Sequence, residues 1–139
     1  MMPFKKYYEH VTLGIVEPVF IEEVGEIDAK IDSGNEGYNV LGATGITKEN
    51  DKVRFMANGN TLVKKIVEEV EVHVGANHKE PRFVVHLNMK FKGSFYEDIP
   101  FSLGSREEKD YKVLIGEIFL KKIDALIQVN KPGRLSESE

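Results

Sequence analysis

Within Ile27-Asp28-Ala29-Lys30-Ile31-Asp32-Ser33-Gly34, an apolar segment delivers an acid, a hydroxyl residue and a glycine in immediate succession. A turn built this way can shelter a carboxylate while supplying it with hydrogen bonds, because glycine lets backbone N–H groups come close and the hydroxyl can fix the loop. A carboxyl group so held is a candidate general acid or base. Asp-Ser-Gly is also an ordinary turn sequence, so the triplet gains weight only from what accompanies it. Far downstream, Tyr111-Lys112-Val113-Leu114-Ile115-Gly116 sets bulky aliphatics before a glycine, and Glu117-Ile118-Phe119-Leu120-Lys121-Lys122 then reads as one short helix.

Other chemistry-bearing residues carry less. His73, His78 and His86 cluster near one predicted hairpin but lack both the His-Glu-x-x-His spacing and any cysteine partner, so surface roles and no metal are expected. Asp28 and Asp124 are not followed by a hydroxyl residue and glycine, and structural or solvated roles are expected for them. Asn58-Gly59-Asn60 is no phosphate cradle, since no strand, glycine-rich loop and helix surround it.

The elements that must position Asp32 are mostly strands. Val70-Glu71-Val72-His73-Val74 and Phe83-Val84-Val85-His86-Leu87-Asn88-Met89 alternate with period two. The turn formers between them, Gly75 to Pro81, predict a hairpin with Asn77 and His78 at its tip. That register sets Val72 opposite Phe83 and Val70 opposite Val85, and puts Glu71, His73, Arg82 and His86 on the other face. Further strands are expected over 11–20, 26–31, 52–56, 61–67, 90–91, 96–103 and 112–115, with hairpin turns at Asn58-Gly59 and Lys92-Gly93-Ser94. Many short strands, one helix and no internal repeat predict an all-β barrel with one short C-terminal helix. At 139 residues the chain suits one domain, 1–130, followed by a polar tail, 131–139, expected to fray.

Composition narrows the function classes. Cysteine is absent, which excludes disulfides, thiolate zinc sites and a cysteine nucleophile together. Lys+Arg 19 against Asp+Glu 23 gives a formal charge of -4, and the longest basic clusters are Lys5-Lys6, Lys64-Lys65 and Lys121-Lys122. A nucleic-acid surface is therefore not expected. No apolar run approaches the roughly 20 residues that span a bilayer, and a cytoplasmic, membrane-free protein is the expectation.

Taken with the later aliphatic-Gly element, the Asp32-Ser33-Gly34 segment resembles the retropepsin-like aspartic proteases. It is similar in particular to a microbial branch labelled ATP-dependent zinc proteases and associated with ATP-grasp ligases. In that branch a start like Leu13-Gly14-Ile15-Val16-Glu17-Pro18 leads through Ala29-Lys30-Ile31-Asp32-Ser33-Gly34 into the core, and the chain from about Leu13 to Leu120 follows in order. The resemblance implies an acid-protease barrel and an aspartic endopeptidase needing no cofactor. It makes Asp32 the catalytic carboxylate, with Ser33 and Gly34 supporting its loop and Leu114, Ile115 and Gly116 packed behind. A flap would be the hairpin carrying Val74, Gly75, Ala76, Asn77 and His78, with 52–67 a competing candidate. The ligase association suggests processing of an amino-acid-tagged protein or peptide.

Such proteolysis uses two carboxylates sharing one proton, since like charges about 3 Å apart cannot both ionise. One Asp-Ser-Gly triplet in 139 residues leaves the second acid to another copy, so a two-fold homodimer acting on a peptide or protein substrate is expected. After Gly34 the chain departs from the family: Asn35-Glu36-Gly37-Tyr38-Asn39 stands where small and hydroxyl residues belong. The alternative is a non-catalytic peptide-binding or assembly module on the same fold.

Overall fold

Period-two patterning becomes strands wherever a neighbour can cover one face. The computed structural model describes residues 11–73 and 75–130. Among them the chain forms β1 (Val11–Leu13), β2 (Val16–Ile21), β3 (Gly25–Ile31), β4 (Asn39–Gly42), β5 (Thr44–Glu49), β6 (Lys52–Ala57) and β7 (Asn60–Lys65). There follow β8 (Glu68–His73), β9 (Lys79–Phe91), β10 (Ser94–Gly104), β11 (Val113–Ile115), α1 (Glu117–Lys122) and β12 (Ala125–Ile127). The expected tail and residues 1–10 lie outside the described residues, as does Val74.

The fold is an all-β barrel with one short C-terminal helix. Strands run in the order β10-β4-β11-β3-β2-β9, and β9 pairs back on β10 to close six strands into a barrel. Closure leaves those strands no free edge. β8 extends the sheet beyond β9, β5-β6-β7 form a separate three-stranded sheet, and β1 pairs in parallel with β12. A single apolar cluster joins these parts: Leu13, Phe55, Leu62, Leu87, Phe101 and Ile115 all belong to it.

Turn chemistry reads directly into structure. Asn58 and Gly59 both have positive φ, 51° and 80°, as do Lys92 and Gly93, at 50° and 84°. Each pair links strands in immediate register, Ala57 with Asn60 and Phe91 with Ser94, as two-residue hairpins require. Three expectations are corrected. The strand over 11–20 is two, because β1 pairs with β12 while β2 pairs with β3 and β9. Residues 90–91 continue β9 without a break. Strands β4, β5 and β12 went unpredicted: β5 is exposed along its whole length, so no alternation marks it, and β4 and β12 span only four and three residues.

The hairpin of β8 and β9 adopts a different register from the predicted one. Val70 stands opposite Arg82 and Val72 opposite Glu80, not Val85 and Phe83. The slip is odd, so it exchanges the two faces of β9 relative to β8. Arg82 therefore shares a face with Val70 and Val72, and His73, opposite Lys79, lies on the face away from His86. The prediction assumed a buried face, but Val70 and Val72 are only half-buried and Glu69, Glu71 and His73 are exposed. Register is set instead by the barrel half of β9, where Val84, Val85, Leu87 and Met89 are buried.

Helix α1 is too short to be stable alone. Phe119 and Leu120 bury themselves in the core, each worth about 1.5–3 kcal/mol. The Phe119 ring meets Phe91 edge-on at 5.9 Å and Tyr96 at 5.0 Å. This fixes Gly116, the residue at its N-terminal end, against the loop that carries Asp32.

Candidate active-site groove

β3 ends at Ile31, and the chain must turn at Asp32 before β4 begins at Asn39. Residues 115–117 clamp that loop. The Asp32 N–H donates to the Ile115 carbonyl at 2.9 Å, the Gly116 N–H to Asn39 Oδ1 at 2.9 Å, and the Glu117 N–H to the Asn35 carbonyl at 2.8 Å. Gly116 must be glycine: a Cβ there would sit 2.9 Å from Asn35 Nδ2 and 3.0 Å from the Asn35 and Gly37 carbonyl oxygens. Leu114 and Ile115 are on β11, paired in parallel with Lys30 and Ile31 of β3, so the predicted aliphatic-Gly element does lie beside the Asp32 loop.

Within the loop, Asp32 Oδ1 accepts the Gly34 N–H at 3.1 Å, and a Cβ on Gly34 would lie 3.4 Å from that oxygen. Ser33 is exposed, and the bracing expected of its hydroxyl comes from Asn35 instead. Asn35 Oδ1 accepts the Gly37 N–H and its Nδ2 donates to the Tyr38 carbonyl, both at 3.1 Å. The 35–39 segment thus supplies its own loop-holding amides.

Asp32 faces a groove of about 420 Å³. Val40, Ser102 and Leu114 form its floor, and Tyr38 and Ile118 stand at one side. The floor residues share a row across the barrel's outer surface, since Ser102 pairs with Val40 and Val40 with Leu114. The opposite wall is Val70, Glu71, Val72 and His73 of β8. Four consecutive residues are more than one face of a strand presents, since a face shows alternate residues, so the groove reaches the edge of β8. Among the described residues β8 pairs with β9 alone, so that edge is the end of the sheet. The Tyr38 hydroxyl donates to Glu68 Oε1 at 2.7 Å and joins the loop to the root of the hairpin. This bond, with the nearby carboxylate, raises the Tyr38 phenol above its ordinary value.

Two arginines complete the groove. Arg82, its side chain 16% exposed, is bound through Nε to Glu80 at 3.1 Å, and its guanidinium lies over Gly104, where a Cβ would be 2.7 Å away. Arg106 donates from Nε to the Tyr111 carbonyl at 2.7 Å. Burial holds the Arg106 guanidinium below its ordinary value, the positive charge of Arg82 acts in the same direction, and Asp32 partly offsets both. Lys112 pins the same connection, donating to the carbonyls of Arg106, Glu107 and Lys109.

Sequence reasoning missed Arg82, Arg106 and Ser102. The mistaken register sent Arg82 to the other face, and nothing local marks Arg106. Ser102 and Gly104 did carry a signal: alternating with buried Phe101 and Leu103, they reveal the outward face of β10. Of the predicted flap, Gly75, Ala76, Asn77 and His78 are exposed beyond the groove-lining part of the hairpin, and Val74 is outside the described residues. The competing segment 52–67 lines a separate cleft of about 250 Å³ with Met56, Asn58 and Gly59, and only Arg106 borders both spaces. Glu17 is buried, and its carboxylate is engaged by the Gly14 N–H at 2.8 Å and Lys92 Nζ at 3.2 Å.

The fold and site thus define a closed β-barrel with a loop-borne carboxylate facing a groove beside β8, the last strand of its sheet among the described residues. No family model matches this sequence, and no curated protein matches it. A solved structure of a Legionella pneumophila protein of unknown function (DUF785) is similar, with a TM-score of 0.72 and 22% identity over 88% of this chain and 96% of that one. At that identity the likeness shows the fold alone.

Proposed function

We propose that the protein is an aspartic peptidase, active as a homodimer that brings two copies of Asp32 together. The observation that carries this reading is the position of Asp32: on a clamped loop, facing a groove whose far wall is a strand edge left unpaired among the described residues. An extended peptide would add to the β8 edge through backbone hydrogen bonds. One Asp32, ionised, takes a proton from water as the water oxygen adds to the scissile carbonyl carbon. The other, protonated, gives its proton to the carbonyl oxygen. Collapse of the tetrahedral diol breaks the C–N bond, and the amine leaves with a proton from the dyad. The β8–β9 hairpin is the covering element in this reading.

The test is digestion of a diverse peptide pool by the purified protein, read by mass spectrometry. Asp32→Asn should reduce cleavage to background with folding and dimerisation retained, and wild-type protein mixed with excess variant should lose more activity than dilution explains. Cleavage by the variant, or by protein that sediments as a monomer, overturns the reading.

A second reading, a non-catalytic peptide-binding module, is favoured by the 35–39 loop, where Asn35 uses both its amide groups to hold the turn. It predicts peptide binding without cleavage.

A further inference from the structure

The groove is polar in one direction. Its floor begins with Val40 and Leu114 and ends at Ser102, where the guanidiniums of Arg82 and Arg106 stand. Ser102 is only 4% exposed and yet borders the groove. Both arginines have Nε committed, to Glu80 and to the Tyr111 carbonyl, which fixes each guanidinium plane and directs its terminal nitrogens elsewhere. Gly104 lets the Arg82 guanidinium come close at this end of the strand, since any side chain there would displace it. Glu80 pairs with Arg82 through Nε and Asp32 partly offsets the effect of Arg82 on Arg106, and an anion between the two guanidiniums would relieve the repulsion that is left.

We propose that Arg82, Arg106 and Ser102 form a subsite for the C-terminal α-carboxylate of a peptide, so that chain ends are selected over internal segments. This rests on reading the Asp32 groove as a peptide site. Arg82 and Arg106 lie beyond the apolar Val40 and Leu114, so a chain end with an apolar last side chain would meet apolar residues and then positive charge. An extended peptide on the β8 edge would then run in a single direction from this anchor past Asp32. A planar carboxylate can take paired N–H donors from guanidinium forks, and the serine hydroxyl can donate to a remaining lone pair.

The experiment uses the full-length Asp32→Asn protein, so that binding is read without turnover. A pool of N-acetylated neutral hexapeptides with free C-terminal carboxylates, the same pool as C-terminal amides, and an amidated pool with internal glutamates are each equilibrated with it, and retention is measured by mass spectrometry. The free acids should be retained at least tenfold better than both amidated pools, and Arg106→Gln should bring that ratio to within about twofold. Ser102→Ala should reduce it less. Equal retention of acid and amide, retention of neither, or equal retention of the internal-glutamate pool overturns the proposal. Retention of the amidated pools should be unchanged by Arg106→Gln, and a melting curve like that of the Asp32→Asn parent should accompany it, so that loss of the acid preference is told apart from loss of folding. If wild-type protein cuts no peptide but the acid preference holds, the peptidase reading falls alone; if it cuts peptides with no such preference, only the subsite falls.

Discussion

The hairpins β6–β7 and β8–β9 were both candidates to cover Asp32, and the fold treats them oppositely. In β6–β7 one face is core: Val53, Phe55, Ala57 and Leu62 are buried. Its turn is tied to the barrel, with Asn58 Nδ2 and Asn60 Nδ2 donating to the Val24 carbonyl at 2.9 and 3.1 Å and Lys64 paired with Glu23. In β8–β9 the outer half has no buried face, and the Tyr38–Glu68 bond links β8 to the Asp32 loop. A hairpin packed into the core opens only with the core, whereas one held by its root and an exposed hydrogen bond can open at small cost. Proximity to Asp32 and the lighter anchoring coincide in the same hairpin.

The sharpest way to break this contrast is by side-chain truncation. Phe55→Ala should destabilise the protein by about 3–5 kcal/mol, while Val72→Ala should cost under about 1 kcal/mol, both from urea denaturation. Comparable losses would mean that the β8–β9 hairpin carries core stability and does not move independently. A smaller effect is expected at the β6–β7 turn. Asn58→Gly keeps the positive φ but removes the amide donated to Val24, and should cost about 1 kcal/mol by the same method.

The smallest effect concerns the tether on the other hairpin. Tyr38→Phe should leave global stability nearly unchanged and speed amide hydrogen exchange in 68–83, with Glu68→Gln, which retains an acceptor, closer to wild type. Because the Glu68 carboxylate raises the Tyr38 phenol, difference ultraviolet titration against Tyr38→Phe should show one tyrosine ionising above its ordinary range. Glu68→Ala should return it downward. No displacement would mean that the bond is not kept in solution.

Legibility followed the range of the forces involved. The Asn58-Gly59 and Lys92-Gly93 turns, the helix at 117–122 and the aliphatic-Gly element beside Asp32 depend on residues within a few positions of one another, and their chemistry is visible in the chain. The β8–β9 register is not local. It is imposed by Val84, Val85, Leu87 and Met89 entering the barrel, and an odd slip there carried Arg82 from the expected polar surface into the groove.

The sequence by itself determined that the chain is a strand-built barrel and that Asp32 sits in a turn with Gly34, because alternation and turn dihedrals are short-range properties. Only tertiary structure decided that Asp32 faces Arg82, Arg106 and Ser102, because these arrive from β9, β10 and the connection after it. Their meeting depends on how a closed sheet registers its strands, and no stretch of chain encodes that alone.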